Sequence, residues 1–205
     1  MSEMPVQSLK GREIIVGVCG GIAAYKVADV VSKLVQAGAG VTVVMTAEAQ
    51  KFVTPLTFEA LSGRKVGTST FDLVDSGDTQ HIKLTERADL MMVAPATTNM
   101  IAKVACGLTD DLLSLLICAS ACPVAFAPAM NDRMWANPIA QENVAKLKKL
   151  GYPFIGPEEG WLACRNSGSG RLSDPQAIVD EVVRMIAATD ASQKSKTDVT
   201  ADERG

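Results

Sequence analysis

Histidine is nearly absent from this chain of 205 residues, which carries only His81. With one histidine, five cysteines and no CxxC pair, the sequence argues against a Cys/His zinc site, and five thiols cannot all pair into a disulfide framework. No metal is expected. Aromatic residues amount to 4%. Lys and Arg, 20 in all, are outnumbered by 23 Asp and Glu, and a net charge of −3 gives no basic surface for nucleic acid. No apolar run reaches the roughly 18 residues of a membrane span. The polar start, Met1 to Lys10, lacks a signal-peptide core. A cytoplasmic protein without membrane or nucleic-acid partners is the expectation.

What is present is apolar sequence. Hydrophobic residues make up 47%, enough for one α/β domain with a full core. The expected division is an N-terminal arm over 1–11, a domain over 12–188 and a disordered polar tail over 189–205. Cys19, Cys106, Cys118 and Cys122 lie in apolar runs and read as small core residues, with Cys164 the exception.

The spacing predicts a strand over Glu13–Val18, a turn at Gly20-Gly21-Ile22, a helix to about Gln36 and a strand over Val41–Met45. This is a βαβ unit with a right-handed crossover. Its turn is not GxGxxG, and Thr46 rather than an acidic residue ends the second strand. That pattern argues against NAD and for a ligand with one phosphate, although a tight turn without a ligand reads as well. A short helix is predicted over Pro55–Ser62, then a loose loop over Gly67–Gln80, then His81 and a short element to Ala88. Leu90–Ala94 is a further strand. It runs into Thr97-Thr98-Asn99, two hydroxyls and an amide that open a helix and form either an anion cradle or a helix cap. A Leu-rich helix follows over Asp110–Ala121, with Asp110 and Asp111 in its first turn.

Pro123–Phe126 is the next apolar strand, and Asn131 stands just past its end, where ligands bind in open parallel sheets. A carboxamide can grip a carboxylate without a salt bridge, or it can simply cap the next helix. Pro138–Leu150 is amphipathic, and Tyr152–Ile155 reads as a last strand. Gly156–Ser173 has no evident structure and reads as a lid, with Trp161 and Leu162 giving it something to cover. A helix over Pro175–Ala188 closes the domain.

Taken in order, Gly20-Gly21-Ile22-Ala23-Ala24, Thr46, His81-Ile82, Pro95-Ala96-Thr97-Thr98-Asn99, Pro128-Ala129-Met130-Asn131 with Met134-Trp135, and Leu162-Ala163-Cys164 before Gly168-Ser169-Gly170-Arg171 resemble the flavin-dependent cysteine decarboxylases. The resemblance covers roughly residues 12–187 and is nearest to members acting on 4'-phosphopantothenoylcysteine in coenzyme A biosynthesis. It implies a flavodoxin-like, Rossmann-like three-layer parallel sheet with helices on both faces. It also implies FMN bound between the subunits of a homotrimer or a dodecamer of four trimers.

By the same resemblance, FMN contacts fall on Gly20, Gly21, Ile22, Thr46, Thr97, Thr98, Asn99, Met100 and Ala129. Substrate contacts fall on Asn131, Ala163, Cys164 and Arg165. His81, Asn131 and Cys164 carry the catalytic roles. Met100 replaces the usual Thr and Arg165 the usual Gly. Many bacterial members continue into a ligase domain, where this sequence has the 17-residue polar tail over 189–205, so a decarboxylase alone is expected here.

The implied chemistry gives the leaving carboxyl group an electron sink. Hydride transfer from the carbon bearing sulfur makes a thioaldehyde, carbon dioxide leaves to give an enethiolate, and the hydride then returns. Asn131 would hold the carboxylate, His81 would assist at the thiol, and Cys164 would supply the final proton. Arg171 and Lys103 are candidates for a substrate phosphate. The alternatives are a peptidyl-cysteine decarboxylase, whose relatives lack the lid cysteine, a flavin prenyltransferase of the same fold, and a regulatory FMN-binding protein without activity.

Overall fold

The computed structural model describes residues 8–70 and 80–202. The βαβ unit forms as read: β1 (Glu13–Val18), α1 (Ala24–Gln36) and β2 (Gly40–Met45). Next come α2 (Pro55–Ser62), α3 (Gln80–Arg87), β3 (Leu90–Ala96), α4 (Thr98–Cys106), α5 (Leu112–Cys118) and β4 (Val124–Pro128). The chain continues through α6 (Asp132–Trp135), α7 (Pro138–Lys149), β5 (Glu158–Trp161), β6 (Ser167–Arg171) and α8 (Pro175–Asp202).

The main sheet is parallel, in the order β2-β1-β3-β4. Phe154 adds a parallel bridge to Phe126, so the predicted last strand is present only as one bridge at the sheet edge. Buried on both faces, the strands send alternate residues to two cores. Ile14, Val16 and Met92 face α1 and α8, while Ile15, Met91 and Val93 face α4, α5 and α7. The expected three layers are therefore present.

Five expectations change. Gly156–Ser173 is not unstructured: β5 and β6 pair as an antiparallel ribbon. The helix after Pro175 continues through Asp202, where a disordered tail is expected. Leu9, assigned to the arm, is 1% exposed and its N–H donates to Ala37 O. Asp110 lies before α5, and Asp111 is the cap residue, in a reciprocal capping box with Ser114. Of the four cysteines read as core, only Cys19 is buried; Cys106 and Cys118 are exposed because they sit at the outer ends of their helices.

Arg12 ties the base of the sheet together. Its guanidinium lies 3.0 Å from Asp89 before β3 and also pairs with Asp190 on α8.

Candidate functional site

Strand order reverses at β1, and a crevice opens there beyond the carboxyl ends of β1, β3 and β4. It is a cavity of about 640 Å³. Its floor is the Gly20–Ala23 turn with Thr97 and Thr98, one wall is Ala129–Asn131, and the roof is the ribbon at Trp161–Cys164.

The floor is shaped by close approach. A Cβ on Gly20 would stand 2.2 Å from Glu48 Cβ and 2.9 Å from its backbone carbon, so the position admits only glycine. Thr97 caps α4, its Oγ1 accepting from Met100 N–H at 3.3 Å. The Thr98 hydroxyl donates to Met130 Sδ at 3.0 Å. Cys19 lies buried beneath, against Thr97, and burial pushes its thiol up to about 12, so it remains protonated and inert.

Asn131 unites its two readings. Its Oδ1 caps α6 by accepting from Arg133 N–H at 2.9 Å, which leaves Nδ2 free to donate to Cys164 Sγ at 3.2 Å. The cap thus fixes which end of the amide faces the cavity, and that end is a donor. Cys164 arrives from the ribbon. Leu162 N–H donates to Asn166 O and Arg165 N–H to Leu162 O, closing a three-residue turn over Ala163, Cys164 and Arg165. Its last position needs a left-handed backbone, and Arg165 adopts it with φ 65°. The turn forms with Arg in the glycine position, at a cost of about 1 kcal/mol.

The ribbon is pinned to the sheet where Met130 N–H donates to Gly170 O at 2.9 Å. A Cβ on Gly170 would stand 2.3 Å from Met130 O.

Gly20, Gly21, Ile22, Thr97, Thr98, Ala129, Asn131, Ala163 and Cys164 therefore line one cavity. Thr46, Asn99, Met100 and Arg165 are not among its lining residues. The Thr46 hydroxyl accepts from Ala49 N–H, and Asn99 is exposed on α4. Met100 points into the core at 1% exposure because its helical position faces the sheet. His81 falls in α3, but its side chain lies outside the described residues.

Lys103 is held by Asp110 at 2.7 Å and Asp111 at 2.6 Å, away from the cavity. Arg171 does line it, and so does Lys26, which sequence reasoning missed. The available signal was its place in the first turn of α1, beside the glycine turn. Among the described residues that line the cavity, Lys26 and Arg171 are charged and none is a carboxylate, so the site fits an anion.

The family model described as Flavoprotein matches residues 2–187. The chain belongs to the flavoprotein family. Among curated relatives, this flavoprotein is 44% identical over 192 residues to the coenzyme A biosynthesis bifunctional protein CoaBC of Borreliella burgdorferi, covering 94% of this chain and 49% of that one. It is 48% identical over 171 residues to CoaBC of Bacillus subtilis, covering 83% and 42%. The chain thus spans about half the length of these relatives. Among solved structures, a PPC decarboxylase variant complexed with pantothenoylaminoethenethiol superposes with TM-score 0.75 at 30% identity, covering 83% of this chain and 96% of that one. The FMN-dependent cysteine decarboxylase SpaF gives TM-score 0.76 at 32% identity, covering 87% and 99%.

Proposed function

We propose that this flavoprotein uses FMN to decarboxylate 4'-phosphopantothenoylcysteine to 4'-phosphopantetheine, a carboxy-lyase step of coenzyme A biosynthesis. The observation that carries the reading is the 3.2 Å contact between Asn131 Nδ2 and Cys164 Sγ on the cavity wall. It joins a carboxylate donor to a proton donor at one point. The relatives' names point the same way: coenzyme A biosynthesis for CoaBC, and PPC decarboxylase for the solved structure.

The residues present fit the cofactor. A flat ring suits the floor at Gly21, where a Cβ would meet nothing closer than 3.8 Å. The backbone N–H groups of Gly20 and Ile22 and the Thr97–Thr98 hydroxyls suit its polar edges and its phosphate. Thr46, Asn99 and Met100 would contribute only from outside the wall. When bound, FMN supplies the reversible oxidation that turns the carbon–sulfur bond into an electron sink.

This chain's residues do the rest. Asn131 Nδ2 donates to the substrate carboxylate without a counter-charge that would favour its staying, so the departing group is oriented but not trapped. Ala163, Cys164 and Arg165 close the ribbon over the substrate and exclude water. The Cys164 S–H bond breaks as a C–H bond forms at the carbon that lost carbon dioxide. The enethiolate electron pair makes that bond, and a thiolate is left on Cys164. Arg171 and Lys26, the charged side chains among the described lining residues, meet phosphate.

The reading extends to a cytoplasmic homo-oligomer, a trimer or four trimers, in which His81 serves a neighbouring subunit's site. Exposed apolar side chains support self-association, with Tyr25 58%, Phe52 50% and Leu56 70% exposed. Among the described residues no helix is long and apolar enough to cross a membrane.

The deciding experiment is carbon dioxide release from 4'-phosphopantothenoylcysteine by the purified, FMN-loaded protein, with mass analysis of the product. The saturated thiol is expected. No release by protein that retains FMN would leave the regulatory reading in its place.

A further inference from the structure

Cys164 sits between two amides. Asn131 Nδ2 donates to its sulfur at 3.2 Å, and the thiol donates to Asn166 Oδ1 at 2.6 Å. The second contact requires the Asn166 amide to face the sulfur with its oxygen. A third residue dictates that orientation: Asn166 Nδ2 lies 3.5 Å from Asp132 Oδ2. An ionised carboxylate only accepts hydrogen bonds, so it draws the NH₂ end of the amide and turns the oxygen to the thiol.

Asp132 is itself held by the closing of the ribbon. Gly168 packs on it so tightly that a Cβ there would stand 2.9 Å from Asp132 Cβ, and Asp132 Oδ1 is buried without a hydrogen-bond partner among the described residues. Asp132, Asn166, Cys164 and Asn131 thus form one directed chain that joins the first turn of α6 to the tip of the ribbon.

We infer that Asn166, oriented by Asp132, is a positioning residue that holds the Cys164 S–H bond in place until the proton is needed. The two amides serve the sulfur at different moments. Asn166 Oδ1 accepts from the S–H group before transfer. Asn131 Nδ2 donates to the sulfur and remains its partner after transfer. Proton transfer moves the sulfur from one partner to the other. The S–H bond breaks, the new C–H bond forms from the enethiolate pair, and the charge left on sulfur faces a donor. This inference rests on the decarboxylase reading for its substrate, but the thiol geometry can be tested without any substrate.

The test compares FMN-loaded wild type with Asn166→Leu, which keeps size and removes the acceptor, and with Asp132→Asn, which removes the carboxylate that orients Asn166. The first readout is iodoacetamide labelling of Cys164 at neutral pH, resolved by peptide mass, with exposed Cys106 and Cys118 as internal references. Loss of one hydrogen bond to the thiol should speed Cys164 labelling roughly three- to tenfold in Asn166→Leu, and less in Asp132→Asn. The second readout is the product. The share two mass units lighter than the saturated thiol should rise, with KM and carbon dioxide release in the first turnover unchanged.

Wild-type labelling and wild-type product in both variants would overturn the inference. So would a joint rise in KM and loss of carbon dioxide release, because a purely structural role in the ribbon would produce that pattern. If wild type releases no carbon dioxide, the decarboxylase reading falls, and the labelling arm alone decides the role of Asn166.

Discussion

The Asn131 amide nitrogen lies 3.2 Å from Cys164 Sγ across a sequence separation of 33. One side chain caps the helix just past β4 and the other rides on the tip of a ribbon, so their contact measures closure of the site. Because Asn131 also caps α6, the amide cannot turn over without breaking the cap.

That double duty makes Asn131→Asp an informative substitution. A carboxylate caps a helix as well as an amide does, so fold and FMN content should be retained. The oxygen now facing the cavity would oppose the substrate carboxylate, and like-charge juxtaposition costs several kcal/mol. Turnover should be lost while flavin absorbance stays. Near-wild-type rates would leave Asn131 as a cap alone.

Cys164→Ser should separate the two halves of the reaction. Serine fits the same turn, so the ribbon should close and decarboxylation should proceed. A hydroxyl is a far weaker acid than a thiol, so the enethiolate should not receive its proton. Under anaerobic conditions the variant should release one carbon dioxide per flavin, keep its flavin bleached, and yield a product two mass units lighter than the saturated thiol. Saturated product at wild-type rate would move the proton source to His81 or to water under the ribbon.

Arg171→Gln and Lys26→Gln test the cationic wall. If these side chains hold the substrate phosphate, KM for the phosphorylated substrate should rise on the order of tenfold, the loss of one charge-assisted hydrogen bond. The unphosphorylated analogue should bind wild type and variant equally. Loss of FMN instead would assign the wall to the cofactor phosphate. Lys103→Gln should leave both KM values alone, since Asp110 and Asp111 already hold Lys103.

Asp111 offers a test of stability. Burial opposes its charge, but the Lys103 ammonium together with the Ser114 N–H and hydroxyl outweighs burial and holds the carboxyl below its ordinary value. A depressed carboxyl stabilises the fold fully above the unfolded value, and this contribution disappears as pH falls through the folded one. Asp111→Ala should cost about 1 kcal/mol at pH 7 through the lost cap. The difference from wild type in urea unfolding should narrow as pH falls from about 5 toward about 2. A pH-independent difference would mean that the charge contributes nothing.

The core was legible because parallel strands read as continuous apolar runs and the helices show one apolar stripe. Val27, Val30, Val31 and Leu34 announce α1 without any tertiary knowledge. The ribbon was not legible: Glu158–Trp161 is short and carries no apolar alternation, Ser167–Arg171 alternates glycine with polar residues, and both bury little, so no period marks them. Their pairing comes from a turn in which Arg165 takes a conformation that sequence assigns to glycine. The exposure of Cys106 and Cys118 was hidden for a related reason, since apolar neighbours say nothing about which side of a helix end faces solvent. The motif residues at the ends of β1, β3 and β4 reached one cavity because topology places strand ends together. Thr46, at the end of the edge strand, lies off the wall.

The ribbon stands outside the parallel sheet and is tied to the segment just past β4 by a backbone hydrogen bond from Met130 N–H to Gly170 O. Two-stranded ribbons are marginal by themselves, so this one can unzip while every strand of the sheet stays paired. Amide hydrogens of β5 and β6 would then exchange with deuterium through a shallow local opening, whereas those of β1 and β3 would wait for the whole domain to unfold. The roof of the cavity thus carries its own small stability, separate from that of the domain. Mutations that harden the core need not slow the entry of substrate or the release of product.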